Sequence, residues 1–128
     1  MTKKSKVSSR LHKERMRRIE DLTTWVKTEK PKILEWLNGE RSALDYEIDP
    51  CVRKFWYRDK EGKNHNVRFV DLPRETKEAI FCRYVRIALR YQIYRDFGFC
   101  DLTTLDYIRH VLKNLGCRFY RNRWRCAI

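Results

Sequence analysis

Residues 101–128 read DLTTLDYIRHVLKNLGCRFYRNRWRCAI, and within this stretch the apolar side chains change from a helical to a strand period. From 102 to 115 they recur every three or four positions, which predicts a helix with a leucine-rich buried face. After Gly116, which ends the helix, they alternate with polar residues, which predicts β-strands. The stretch therefore predicts an α+β fold in which a helix passes directly into a hairpin.

The predicted hairpin has a register that segregates its side chains. Arg121 and Asn122 form a two-residue turn, because Asn tolerates positive φ. The cross-strand pairs are Cys117–Cys126, Arg118–Arg125, Phe119–Trp124 and Tyr120–Arg123. One face then carries Arg118, Tyr120, Arg123 and Arg125, and the other carries the two cysteines, Phe119 and Trp124. Since opposed like charges destabilise a sheet, the arginine face predicts an anionic partner such as phosphate, with a solvated outer face as the alternative.

The net charge of +13 is concentrated in two segments. Residues 1–18 hold eight Lys or Arg against one acid, and residues 117–128 hold four against none. The residues between them hold 18 against 16, which is nearly neutral. Such segregation predicts a polyanion partner, first of all nucleic acid, and an acidic protein surface is the alternative.

Length and composition limit the class of protein. The 128 residues, 42% of them hydrophobic, predict one domain with its own core. The sequence has no apolar run near 18 residues and no secretory signal, so we expect an intracellular, cytoplasmic protein, in the host cytoplasm if it is viral. We expect no membrane contact, no cofactor and no small-molecule substrate.

The five cysteines are odd in number and lack C-x-x-C spacing, which predicts free thiols in a reducing compartment and no metal site. They are interpreted as small buried hydrophobes. Two alternatives stay open. Cys117 and Cys126 form a cross-strand disulfide, or they bind zinc together with Cys100 or His110.

Residues 1–9 are predicted to be a flexible basic arm, followed by a single domain over 10–128. A helix begins at Ser9, and a second, short helix begins at Pro31 and ends before Asn38. Strands at 51–58 and 66–70 predict a β-hairpin near 51–70. A long helix follows Pro73 and ends at Gly98. Its predicted buried stripe is Ile80, Tyr84, Ile87, Tyr91 and Tyr94, widened by Phe81, Val85, Ala88 and Leu89.

Two helices, the short connection FGFCD and a hairpin follow one another over residues 73–127, with Thr103 and Asp106 at capping-box spacing in the second helix. This order resembles the helix-turn-helix and wing of winged-helix domains, in architecture only. The resemblance implies that the second helix enters the major groove and that the hairpin acts as a wing. The groove-facing residues would be Thr103, Tyr107, His110, Lys113 and Asn114. With only one lysine there, and Asp106 beside it, we expect weak sequence specificity.

Arg83, Arg86 and Arg90 in the long helix are spaced i, i+3 and i+7 and therefore share one face. Guanidinium groups bind phosphate and carboxylate bidentately, so this face predicts contact with phosphate or with an acidic protein partner. A solvated face with salt bridges is the alternative.

The sequence lacks the usual signatures of catalysis. It has no H-E-x-x-H, P-loop or nucleophile elbow, and its three histidines stand far apart. Two E-x-K triplets, at 61–63 and 75–77, are attributed to chance in so charged a chain. We therefore expect a protein that is not an enzyme.

Together these features predict a small basic nucleic-acid-binding protein, DNA-binding and related to transcription. The expected contacts are Lys3, Lys4, Lys6, Arg10, Lys13, Arg17, Arg18, Tyr107, His110, Lys113, Asn114, Arg118, Arg121, Arg123 and Arg125. The alternative is a small accessory factor, of the kind that bacteriophages make, which binds RNA polymerase or another nucleic-acid machine. It would use Arg83, Arg86 and Arg90 or an aromatic surface of Trp25, Trp36, Trp56 and Tyr57.

Overall fold

The computed structural model describes residues 3–47, 55–120 and 123–127. In chain order the elements are α1 (Lys3–Leu37), β1 (Phe55–Arg58), β2 (Asn64–Val67), a 3₁₀ turn (Phe69–Asp71), α2 (Arg74–Phe97), α3 (Leu102–Asn114), β3 (Arg118–Tyr120) and β4 (Arg123–Arg125). This confirms a small, mostly helical α+β fold with two antiparallel hairpins. Over these ranges no helix has the length and apolarity needed to cross a membrane.

Helix α1 replaces both the predicted flexible arm and the predicted pair of helices. It already includes residues 3–9, and it continues through Pro31 to its predicted end before Asn38. A proline inside a helix costs about 3 kcal/mol. The continuous path keeps the buried Ile33 and Trp36 in phase with Ile19, and burying such side chains contributes about 1.5–3 kcal/mol each. Burial in the core therefore outweighs the local cost of Pro31.

Helices α1 and α3 pack side by side and run in the same direction. The side chain of Arg15 hydrogen-bonds to Asp106, and that of Asn114 donates to Thr23 at 3.5 Å. Both pairs are 91 positions apart, so the two helices advance together along the contact. Helix α2 packs against both. The shared core includes the fully buried residues Ile19, Ile33, Trp36, Leu89, Val111 and Leu112.

The first hairpin is shorter than predicted and is organised by its turn. β1 and β2 pair from Phe55 opposite Val67 to Arg58 opposite Asn64. The carboxylate of Asp59 accepts two backbone N–H groups across the turn, each at 2.9 Å. The predicted strand to residue 70 ends early because the 3₁₀ turn directs Phe69 into the core, where it is 3% exposed. The predicted strand residues 51–54 lie outside the described residues.

The buried faces of α2 and α3 agree with the predicted faces in part. On α2 the predicted residues Phe81, Val85, Ala88 and Leu89 are buried together with Cys82 and Ile93, whereas Tyr91 and Tyr94 are exposed. On α3 Tyr107 is buried and Leu105 is exposed, the reverse of the prediction. Asp101 and Thr104 form the capping box of α3, in place of the predicted Thr103 and Asp106. Tyr107 is buried because Arg15 of α1 and the rings of Phe97 and Phe99 pack against it.

The C-terminal hairpin has the predicted register. Arg118 lies opposite Arg125, Phe119 opposite Trp124 and Tyr120 opposite Arg123. The next pair outward, Cys117 and Cys126, forms a disulfide with a Cα–Cα distance of 4.4 Å. Strand β4 packs against α2, and this contact attaches the hairpin to the helical body.

Candidate nucleic-acid interface

Three cations lie in a row on the outer side of α1. Arg10, Lys13 and Arg17, which we call the basic stripe, occupy positions i, i+3 and i+7 of one continuous helix. At about 100° of rotation per residue they lie opposite the face that buries Ile19 and Leu22. All three are exposed, and none forms an ion pair with any residue that the structure describes. Their charges are therefore available to an external anion.

Two neighbouring arginines of α1 are committed to the fold. Arg15 bonds to the carboxylate of Asp106 on α3. Arg18 pairs with Glu14 at 2.9 Å, and its guanidinium lies 4.6 Å from the ring centroid of Phe97. Contact of Arg18 with phosphate stays a prediction, and its charge is already paired with Glu14.

The predicted contacts Lys3, Lys4 and Lys6 belong to the first turns of α1. Their side chains lie outside the described residues, so contact by them stays a prediction. In the sequence, residues 3 and 6 continue the three- and four-residue spacing of the basic stripe. The stripe would then extend over five positions of one helix face.

The face of α3 that the winged-helix resemblance directs toward the major groove is partly covered by α1. Tyr107 is 4% exposed and lies beneath the guanidinium of Arg15, so it is excluded from the predicted interface. The amide of Asn114 is bonded to Thr23. His110 is half-buried, with its Nε2 3.6 Å from Asp106. Contacts with α1 thus occupy Tyr107 and the amide of Asn114.

Thr103, Lys113 and Asn114 lie on the part of this face that stays exposed. Asp106 has a lowered pKa, chiefly because Arg15 hydrogen-bonds to its ionised form. The carboxylate of Asp106 therefore joins α3 to α1 through Arg15. The sequence analysis placed it beside a recognition surface.

The arginines of the C-terminal hairpin differ in their surroundings. Arg118 and Arg123 are exposed, whereas Arg125 is half-buried with its Nη1 3.5 Å from the carboxylate of Glu75 on α2. Glu75 supplies the anion that the opposed pair Arg118–Arg125 requires. Sequence reasoning missed Glu75, because it is 50 positions away from Arg125. Arg121 lies outside the described residues.

Arg83, Arg86 and Arg90 lie together, as their spacing predicts, and line a cavity of about 500 Å³. Tyr91 and Tyr94 line the same cavity. Sequence reasoning missed these two tyrosines because it assigned them to the core. The available signal was the position of Tyr94, four residues after Arg90 on the same helix face.

Three sulfur atoms cluster beneath the C-terminal hairpin. Cys82, Cys117 and Cys126 are buried, and their Sγ atoms lie within 4.8 Å of one another. The disulfide uses two of them, so the prediction of free thiols is wrong for Cys117 and Cys126. Burial raises the pKa of the remaining Cys82 thiol to about 11. After reduction the cluster would supply three of the four ligands that a structural zinc site requires.

The aromatic surface suggested for an accessory factor is mostly internal. Trp36 is fully buried, Trp25 and Tyr57 are half-buried, and Trp56 is 69% exposed. Other large apolar side chains are exposed instead, among them Leu102 and Leu105 on α3 and Phe119 in β3. An apolar contact with a protein partner would therefore use residues other than the predicted tryptophans.

Comparisons of the chain with protein-family models, with curated proteins and with solved structures found no match. The resemblance to a winged helix is therefore not supported by a match to any solved structure. A function has to be inferred from the charges and cavities of this chain itself.

Proposed function

We propose that this is a small, non-enzymatic nucleic-acid-binding protein, with duplex DNA as its expected target and a role related to transcription. The observation that carries the proposal is the basic stripe of Arg10, Lys13 and Arg17. A rigid helix presents these cations on its outer face without intramolecular partners among the described residues.

Counterion release provides the physical reason. Each cation that neutralises a phosphate releases condensed ions from the nucleic acid, and this favours binding without any contact to bases. The stripe spans about 10 Å along the helix axis, at 1.5 Å per residue. A chain with a net charge of +13 also attracts a polyanion over longer range.

Arg118 and Arg123 supply a second set of exposed cations on the C-terminal hairpin. Arg125 contributes less, because Glu75 already pairs with it. Contacts with α1 occupy part of the predicted base-reading face of α3, so contacts to phosphate dominate the proposed binding. The proposed binding is therefore weakly specific for sequence.

The test compares two variants that lose the same charge. The stripe variant R10Q/K13Q/R17Q removes the three aligned cations, and the control variant K27Q/K60Q/K63Q removes three exposed cations elsewhere. Fluorescence anisotropy with a labelled 20-base-pair duplex in low salt measures the affinity. We expect the stripe variant to bind at least about tenfold more weakly and the control to stay within about threefold of wild type. Equal losses in both variants would reject the stripe as the interface.

A second candidate function is an accessory factor that binds RNA polymerase or another nucleic-acid machine. The observation in its favour is the exposure of Leu102 and Leu105, 82% and 48%, on one side of α3. A pull-down repeated after nuclease treatment separates the two functions. Polymerase retained by the wild type after nuclease and lost from L102Q/L105Q supports the accessory factor, and loss of all partners after nuclease supports direct binding.

A further inference from the structure

The cavity beside α2 combines cationic and aromatic walls. Its volume of about 500 Å³ falls in the range of about 300–1,000 Å³ that is usual for small-molecule sites. Arg83, Arg86 and Arg90 form the cationic wall, and Tyr46, Tyr91 and Tyr94 are its aromatic residues. Ile87, Leu105 and Ile108 complete an apolar floor.

The cationic wall has no counter-charge among the described residues. No Asp or Glu of that part of the chain lines the cavity, and none of the three arginines forms an ion pair with it. Arg86 hydrogen-bonds to the Cys82 thiol, and its buried Nε atom has no hydrogen-bond partner among the described residues. Three guanidinium groups gathered without an anion favour a ligand that brings one.

The aromatic wall provides surfaces for a flat ring. Tyr91 and Tyr94 are 43% and 61% exposed, so their rings are accessible to a ligand. Their apolar faces next to arginines suit a planar ring that carries an anionic group. A purely apolar ligand would desolvate the arginines without pairing them, and a bare inorganic anion would leave the rings uncovered.

Tyr46 adds a polar group inside the cavity. Its side chain is 4% exposed, and its hydroxyl has no hydrogen-bond partner among the described residues. A buried hydroxyl without a hydrogen-bond partner destabilises the folded protein. A ligand with a ring nitrogen, carbonyl or sugar hydroxyl within reach would supply the missing partner.

We propose that this cavity binds a nucleotide unit, with its phosphate on Arg83 and Arg90 and its base against Tyr91 and Tyr94. The hydroxyl of Tyr46 bonds a polar atom of the base or sugar. Phosphate suits the site because it brings two negative charges and several acceptor oxygens to adjacent guanidinium groups. None of the basic-stripe residues lines the cavity, so this site is independent of the proposed backbone contact.

Isothermal titration of the full chain tests the proposal with three sets of probes: nucleoside 5′-monophosphates, the matching nucleosides and inorganic phosphate. We expect at least one monophosphate to bind about tenfold or more tightly than both its nucleoside and inorganic phosphate. The variant R83Q/R90Q should reduce that affinity to the level of the nucleoside. Both arginines are exposed, so the substitution leaves the core intact, and thermal denaturation verifies the fold.

The variant Y94A tests the aromatic wall separately. Loss of stacking should weaken the monophosphate about fivefold or more while leaving the weak affinity for inorganic phosphate unchanged. The stripe variant R10Q/K13Q/R17Q is the control and should keep the wild-type affinity for the monophosphate. The affinity of the cavity for the monophosphate can therefore be interpreted even if the duplex-binding proposal fails.

Several results would overturn the assignment. Equal affinity for the nucleoside and the monophosphate would show that the site does not bind the phosphate. Wild-type affinity for the monophosphate in R83Q/R90Q would show the same. Tighter binding of a phosphotyrosine peptide than of any nucleotide would assign the cavity to a protein ligand. Where the nucleotide assignment holds, a single-stranded oligonucleotide identifies its source. If the oligonucleotide displaces the monophosphate and binds more tightly, the ligand is an unpaired nucleotide within a strand. If the monophosphate binds more tightly, the ligand is a free nucleotide.

Discussion

Arg15 and Arg17 are two positions apart on α1 and have opposite surroundings. Arg15 faces α3 and bonds to Asp106, whereas Arg17 points away from the body without an ion pair to any described residue. The charge of the segment can be predicted from the sequence. Which arginine pairs with a carboxylate cannot, because Asp106 lies 91 positions from Arg15. Arginines of one basic segment are therefore either paired within the fold or exposed without an ion pair among the described residues, and the position of the nearest carboxylate decides which.

The pairing of Arg15 with Asp106 predicts a pH-dependent contribution to stability. The pKa of Asp106 in the folded state is lowered, so its contribution is complete above the unfolded-state pKa of about 3.9 and is lost as pH falls through the folded-state value. We expect the difference in unfolding free energy between wild type and Asp106→Asn to be largest near pH 6 and to shrink below about pH 4. Urea unfolding at several pH values measures it. A difference independent of pH would contradict the ion pair.

At the scale of elements, local patterns and long-range packing compete. The C-terminal hairpin follows its local alternation, so its register was predictable from residues 117–126 alone. Helix α1 violates a local rule at Pro31, and the buried faces of α2 and α3 match the predicted ones only in part. These features depend on contacts between distant segments, which apolar spacing within one segment does not encode.

The continuity of α1 predicts that Pro31→Ala stabilises the protein. Alanine would restore the hydrogen bond and remove the ring clash of a helix-interior proline, and we expect a gain of about 1–3 kcal/mol in unfolding free energy. Pro31 is exposed, so the change leaves the core untouched. Chemical denaturation provides the measurement. A neutral or negative effect would indicate that Pro31 begins a separate helix, as the sequence pattern suggested.

The C-terminal hairpin predicts a role for its disulfide in stability. Cys117 and Cys126 close a short loop, and loss of such a cross-link costs about 2–4 kcal/mol. We expect C117S/C126S to unfold at lower denaturant concentration than wild type and to be insensitive to reducing agent. The exposed Cys100 offers the control, because Cys100→Ser should leave both properties unchanged. A wild-type protein that shows no response to reductant would contradict the cross-link.

At the scale of the whole molecule, a nearly neutral body carries cations on the outer face of α1 and on the C-terminal hairpin. Composition was enough to predict the segregation of charge, and periodicity was enough to predict the α+β class. The parallel packing of α1 on α3 was not predictable, because it depends on core packing and polar contacts between segments far apart in sequence. That packing moves the candidate interface from α3 to α1.

The salt dependence of duplex binding tests the basic stripe most directly. About 0.9 ion is released per phosphate contact, so the stripe variant R10Q/K13Q/R17Q should lower the slope of log affinity against log salt by between about two and three units. The control K27Q/K60Q/K63Q, with the same loss of charge, should keep the wild-type slope. A slope that is the same in the stripe variant and the wild type would contradict binding of phosphate by α1.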